Sequence, residues 1–187
     1  MRIIGGARRG LLLADVGAGD PAAHLRPTSD RVREAIFNLL INGSYDDPVT
    51  GARVLDLFSG TGALGLEALS RGAARVAFVD DGLKAHALLR TNIEKMKGMV
   101  ATDAWRRDAT SLGPNRGPGY SLIFLDPPYG KGMGEAALAS AIAGNWLTPG
   151  ALVVWEESTP PTPPPGFAQL DQRKYGDTLV TILRAPE

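Results

Sequence analysis

The sequence contains no cysteine and only two histidines, His24 and His86. That excludes a disulfide, a thiolate metal site and a cysteine nucleophile, and two scattered imidazoles do not make a metal centre. No apolar run approaches the roughly 18 residues of a membrane-spanning helix, and the N-terminus has no apolar segment of the secretory kind. The expectation is a cytoplasmic protein, monomeric, off the membrane and without bound metal. Net charge is absent as well: 20 basic residues balance 20 acidic ones. Zero net charge argues mildly against nucleic acid as a partner, but the charge is unevenly spread. Up to residue 33, Arg2, Arg8, Arg9, Arg26, Arg31 and Arg33 stand against Asp15, Asp20 and Asp30. For phosphate contact a local basic patch matters more than the sum.

At 187 residues, 44% of them apolar, the chain can fill one sizeable core. Its first segment reads as a hairpin: Arg2-Ile3-Ile4 and Leu11-Leu12-Leu13 flank the arginine-bearing turn 5–10. Thr28 or Ser29 then caps a helix that ends near Asn42-Gly43. Its apolar stripe is Val32, Ala35, Ile36, Leu39 and Leu40, at i, i+3, i+4, i+7 and i+8. Gly43 to Gly51 reads as a linker, and the chain divides into an extension, 1–43, and a main domain, 44–187.

In the main domain strand and helix patterns alternate. Strands are expected at 53–58, 75–79, 100–105, 121–125 and 151–155. Helices are expected at 62–71, 83–97 and 134–143, with a short helical turn after Asp108. Such alternation implies right-handed crossovers and a parallel sheet. A proline-rich connector at 159–166, read as extended surface chain, precedes two strands, 167–174 and 178–184, around Tyr175-Gly176-Asp177. The fold class is therefore α/β: a mostly parallel seven-stranded sheet closed by an antiparallel hairpin.

Two stretches carry chemistry. The first is Asp126-Pro127-Pro128-Tyr129, which ends the apolar run Ser121 to Leu125. Open α/β sheets hold their ligands at the carboxyl ends of strands. Two prolines stiffen the loop and remove local donors, so carbonyls and a carboxylate become fixed acceptors beside a stacking ring. Such a cluster suits a planar ligand with an exocyclic amino group. The second is Asp56-Leu57-Phe58-Ser59-Gly60-Thr61-Gly62-Ala63-Leu64-Gly65, a strand end, glycine loop and helix start. Glycines there open a helix N-terminus to a pyrophosphate or to the carboxylate of an amino-acid-like cofactor. Asp56, four residues before Gly60, favours the second: it would oppose a pyrophosphate but accept from an ammonium, which points to S-adenosylmethionine (SAM). Asp80 and Asp81 end the next strand, where a carboxylate accepts ribose hydroxyls. Asp108-Ala109 follows the third strand at the place of an adenine-amino acceptor, although Asp108 reads equally well as a helix cap.

With these segments in hand the chain resembles the RsmD-type methyltransferases, which methylate N2 of one guanine in small-subunit (16S) ribosomal RNA. The resemblance runs through Arg2-Ile3-Ile4-Gly5-Gly6, the block from Leu25 to Glu34, Phe37-Asn38, Leu55 to Ser70, Asp126 to Tyr129 and Tyr175-Gly176-Asp177. It implies a Rossmann-like SAM-dependent fold, SAM contacts at Asp56, Ser59, Gly60, Gly62, Asp80, Asp108 and Ala109, with Asp81 standing in where relatives carry a second polar residue. It also implies a catalytic loop of Asp126, Pro127, Pro128 and Tyr129. On this reading Arg2, Arg8, Arg9, Arg26, Thr28, Arg31 and Arg33 contact RNA, and a partly assembled ribosomal particle is the expected substrate. Three alternatives stay open: another amino-methylating reaction on DNA adenine, DNA cytosine or protein glutamine, a nicotinamide-dependent oxidoreductase using Gly60, Gly62 and Gly65, and a SAM-binding module without turnover.

Overall fold

The computed structural model describes residues 1–16 and 28–187. Seven strands form one sheet: β1 (Arg53–Leu57), β2 (Arg75–Asp80), β3 (Thr102–Arg106), β4 (Tyr120–Leu125), β5 (Leu147–Glu157), β6 (Ala168–Tyr175) and β7 (Thr178–Arg184). Their order is β3-β2-β1-β4-β5-β7-β6. The first five run parallel, and β7 pairs antiparallel with both β5 and β6. The helices are α1 (Asp30–Asn42), α2 (Ala63–Ser70), α3 (Leu83–Met96) and α4 (Met133–Ala143). The central strands are apolar almost throughout because helices cover both faces. In register, Leu55 sits between Ala77 and Ile123, and Leu57 between Val79 and Leu125.

The face bearing Val54, Phe78, Phe124 and Val154 packs on α1, α2 and α3. The other, bearing Leu55, Val79, Ile123 and Trp155, packs on α4 and Trp146. Ile3, Leu13, Ile36, Phe37 and Leu40 belong to the first of these clusters. The extension thus shares the core of the sheet. Its hairpin is minimal: one bridge, Arg2–Leu12, with Ile3 N–H to Leu11 O and Gly10 N–H to Ile3 O, both 2.9 Å, around a short 3-10 turn at Gly6–Arg8.

Ser29 caps α1, accepting from Val32 N–H at 3.2 Å. The buried face of α1 differs from the apolar stripe expected from spacing. It consists of Arg33, Ile36, Phe37 and Leu40, and Val32 and Ala35 lie at its border. The helix is rotated towards Arg33 because that guanidinium has a buried partner, Glu67, on α2. Among the described residues, the helical turn expected after Asp108 is also absent. Asp108 instead accepts from Thr110 N–H (2.8 Å) and Thr110 Oγ1–H (2.7 Å), a local turn stabilised by its own side chain.

Candidate active site at the carboxyl ends of the strands

β1 ends at Leu57, and the chain turns sharply into α2. Phe58, Gly60 and Gly62 take positive φ values of 58°, 54° and 87°. Only Phe58 among them carries a side chain, so this turn holds a strained residue of the kind found at ligand sites. Gly65, one turn into α2, lies against the sheet. A Cβ there would collide with the Phe78 ring and come within 2.8 Å of Val76 Cγ1 and 2.9 Å of Asp56 Oδ2.

Asp56 is 1% exposed, and its Oδ2 accepts Gly65 N–H at 2.9 Å. Its carboxylate therefore pins α2 to β1. Burial pushes its pKa up to about 8, the Gly65 amide opposes this, and the nearby charges of Asp126 and Asp80 raise it further. Asp80 accepts Gly60 N–H (2.9 Å) on one oxygen and Gly82 N–H (2.8 Å) on the other, so it shapes the loops on both sides. Burial raises its pKa too, against the pull of those two amides. Asp81 and Asp108 are exposed, and Ala109 is buried.

Asp126 follows β4, and its N–H reaches Leu57 O at 3.4 Å, which sets it beside the end of β1. Thr28 Oγ1 donates to Asp126 Oδ2 at 3.1 Å. Thr28, expected at an RNA contact, is thus brought from the extension onto the carboxylate of the proline loop. Pro127 is buried and Pro128 half-buried. Tyr129 is held by its hydroxyl, 3.2 Å from Thr178 Oγ1 on β7, and Gly130 N–H donates to Glu157 Oε1 at 3.1 Å. Glu157, at the end of β5, and Thr178 escape sequence reasoning, because nothing local marks them as supports of a distant loop.

Arg33 requires a correction. The sequence reading sets it on phosphate, but it is 0% exposed, and its Nη2 donates to Arg2 O and to Asp30 Oδ1 (2.9 Å). Its Nε lies 3.5 Å from Glu67 Oε2, on a carboxylate that is itself 0% exposed. Glu67 also accepts Ile4 N–H (2.9 Å), Gly5 N–H (2.8 Å) and Arg71 Nε–H (2.7 Å). A guanidinium so enclosed cannot reach a backbone phosphate. It locks α1 and the first turn of the chain onto α2. Arg2, Arg8, Arg9 and Arg31 are exposed, and Arg26 lies outside the described residues. The turn bearing Arg8 docks on the far end of α2, where Arg8 N–H donates to Ser70 Oγ at 2.9 Å. That is one helix length, roughly 12 Å, from the glycine loop. Asn92 ties the near end: it is buried in α3, accepts Ala14 N–H (2.7 Å) and donates to Thr61 O (3.0 Å). A polar residue inside the apolar stripe Leu89, Ile93, Met96 is the signal that could have found it.

The site suits a cationic, amino-acid-bearing cofactor. Two carboxylates, Asp80 and Asp126, lie close enough to the Asp56 carboxyl for their charges to raise its pKa, so Asp56 itself stays protonated near neutral pH. A glycine turn opens the N-terminus of α2 beside them. The Ser59 hydroxyl is buried in that turn with no hydrogen-bond partner among the described residues. The Asp80 carboxylate, the amide donors and the orphaned hydroxyl together fit SAM, which carries ribose hydroxyls, an ammonium and a carboxylate.

A family model, Conserved hypothetical protein 95, matches residues 1–184. The protein named Ribosomal RNA small subunit methyltransferase D in Escherichia coli (strain K12) is 34% identical over 185 residues, 97% of this chain and 88% of that one. The chain belongs to the RsmD family. Its Haemophilus influenzae member of the same name is 32% identical over 182 residues, covering 94% and 89% of the two chains. The solved structure of yhhF from Escherichia coli superposes with a TM-score of 0.84 at 32% identity, covering 100% of this chain and 98% of that one. The sheet order, crossovers and antiparallel hairpin of the RsmD-family chain are those of a Rossmann-like methyltransferase.

Proposed function

We propose that the protein transfers a methyl group from SAM to the exocyclic N2 amino group of a guanine in small-subunit ribosomal RNA. The observation that carries this reading is the Asp126 loop, set at the end of β4 beside the glycine turn of β1 and steadied by Thr28, Thr178 and Glu157. Relatives named for ribosomal RNA methylation across nearly the full length support it.

Ser59, Gly60, Gly62 and the α2 N-terminus would hold the amino-acid end of SAM, Asp80 the ribose, and Asp108-Ala109 the adenine. Bound there, SAM supplies an electrophilic methyl on sulfur. The remaining work falls to the protein. A guanine amino nitrogen is a poor nucleophile because its lone pair is delocalised into the ring. Asp126 and the Pro127 carbonyl accept its two N–H bonds and turn the nitrogen towards tetrahedral geometry. As positive charge develops on nitrogen these acceptors bind more strongly, which is preferential stabilisation of the transition state. Thr28 fixes the carboxylate so that no reorganisation is needed at that moment. Tyr129, anchored by its hydroxyl, offers its ring to a base brought out of the helix. The extension, with Arg2, Arg8, Arg9 and Arg31 exposed, is the RNA-contacting part, and a partly assembled ribosomal particle is the substrate form.

The test is transfer of tritiated methyl from SAM to RNA or small-subunit particles from cells lacking the enzyme, followed by nucleoside analysis. The expected product is N2-methylguanosine. Label in another nucleoside, or none, overturns the reading.

A further inference from the structure

Among the described residues, the connection between β3 and β4 is the one parallel crossover without a helix. β1 to β2 is covered by α2, β2 to β3 by α3, and β4 to β5 by α4, whereas residues 107–119 form an open loop. A parallel sheet normally has both faces covered. Here the face shared by Leu55 and Ala77 also bears Arg53 and Arg75 at the amino ends of β1 and β2, Asp103 level with Ala77, and Trp105 level with Val79 near the carboxyl end of β3. The result is a cleft of about 540 Å³ whose lining includes Arg53, Asp103 and Trp105, with Arg107 and Arg116 from the loop.

Its charge is one-sided. Asp103 is taken by Arg75 through two contacts of 2.8 Å. Among the described residues no carboxylate forms an ion pair with Arg53, Arg107 or Arg116. Arg53 is held over the Tyr120 ring at 4.9 Å with Nε donating to Gly119 O (3.2 Å), and Arg107 lies 5.6 Å over Trp105 with Nη1 donating to Leu112 O (2.8 Å). Arg116 is exposed and Trp105 half-buried. Oriented guanidinium groups beside a partly open indole match phosphates and a base. A second copy of this chain would bring the same positive cleft, and charge complementarity disfavours it.

We propose that this cleft is a second RNA-binding surface, taking the sugar-phosphate backbone of a single-stranded segment distant from the target base. Its Arg53, Tyr120 and Arg116 side lies towards the amino ends of β1 and β4, roughly 20 Å from Asp126 along the six residues of β4, and its Trp105 and Arg107 side lies at the carboxyl end of edge strand β3, three strand spacings or about 14 Å across the sheet from β4. The nucleotides it contacts are therefore not those at the proline loop. The inference rests on RNA being the substrate, and it explains how an enzyme with so small an extension engages a large one.

The experiment compares the parent with the double variant Arg53→Gln/Arg116→Glu, both full-length, in RNA binding by fluorescence anisotropy and in methyl transfer at several salt concentrations. Removing one arginine–phosphate pair lowers the log–log salt slope by about 0.7–0.9, so the double variant should lower it by roughly 1.4–1.8. The expected KM for RNA rises at least about fivefold, with kcat at saturation and the Kd for SAM unchanged. A separate variant, Trp105→Phe, should lose the RNA-induced quenching of tryptophan fluorescence while keeping its melting temperature. Equal salt slopes and KM in parent and double variant overturn the proposal and leave an acidic protein surface as the occupant. A lower kcat with unchanged KM overturns it as well, since that marks a disturbed fold. A parent that binds RNA but transfers no methyl sinks the functional reading alone, because the anisotropy comparison still decides the cleft.

Discussion

Replacing Asp56 by asparagine isolates the effect of burying a carboxyl under the cofactor loop. In the folded protein this group titrates at about 8, against about 3.9 in an unfolded chain. Between those values the folded state holds a proton that the unfolded state has released. Stability from this source is fully present below about pH 4 and is lost as pH rises through 8. The slope reaches about 1.4 kcal/mol per pH unit, so the parent should lose roughly 2–3 kcal/mol between about pH 5.5 and about pH 7.5. Asparagine can still accept Gly65 N–H through its amide oxygen but cannot titrate. Asp80 shifts in the same direction, so the Asp56→Asn variant should keep a shallower slope rather than none. Urea unfolding at five pH values, without cofactor, measures both curves. Parallel curves for parent and variant would refute the reasoning, since they would mean that Asp56 is already charged in the folded state.

Three substitutions separate the arginines and the extension's threonine by role. Arg33→Ala should cost about 2–4 kcal/mol of stability in thermal or urea unfolding, because a fully buried side chain that bonds Arg2 O and Asp30 is removed and buried Glu67 keeps only Arg71 of its two arginine partners. Arg31→Ala, two residues away and exposed, should leave stability within about 0.5 kcal/mol and weaken RNA binding, with a salt slope reduced by about 0.7–0.9. Equal stability loss in the two variants would contradict the assignment. Thr28→Val removes the donor on Asp126 Oδ2. Its kcat should fall roughly tenfold with SAM affinity unchanged, read by single-turnover methyl transfer and calorimetry.

The backbone plan was legible because parallel strands advertise themselves as short apolar runs, and β4, Tyr-Ser-Leu-Ile-Phe-Leu, is bounded by a glycine-proline loop and a proline stop. The two chemical stretches were legible for a related reason: Gly60, Gly62 and the proline pair make backbone demands that few residues satisfy. What escaped was charge buried by partners far away in sequence. Arg33 looks like a solvated helix residue until Glu67, placed in the otherwise apolar α2, is seen to face it and to accept the Ile4 and Gly5 amides 63 and 62 positions earlier. The bond from Thr28 to Asp126 escaped for the same reason, since the two lie 98 positions apart. Spacing alone shows periodicity, and it cannot show which polar group meets which.

The central claim is that the Asp126 carboxylate does the chemistry's steering and is not needed to bind cofactor. Methyl transfer by Asp126→Ala under single-turnover conditions, with SAM binding measured by calorimetry on the same preparation, tests it most directly. The account predicts SAM affinity within about twofold of the parent and a rate lower by about 10²–10³. A rate close to that of the parent would contradict it.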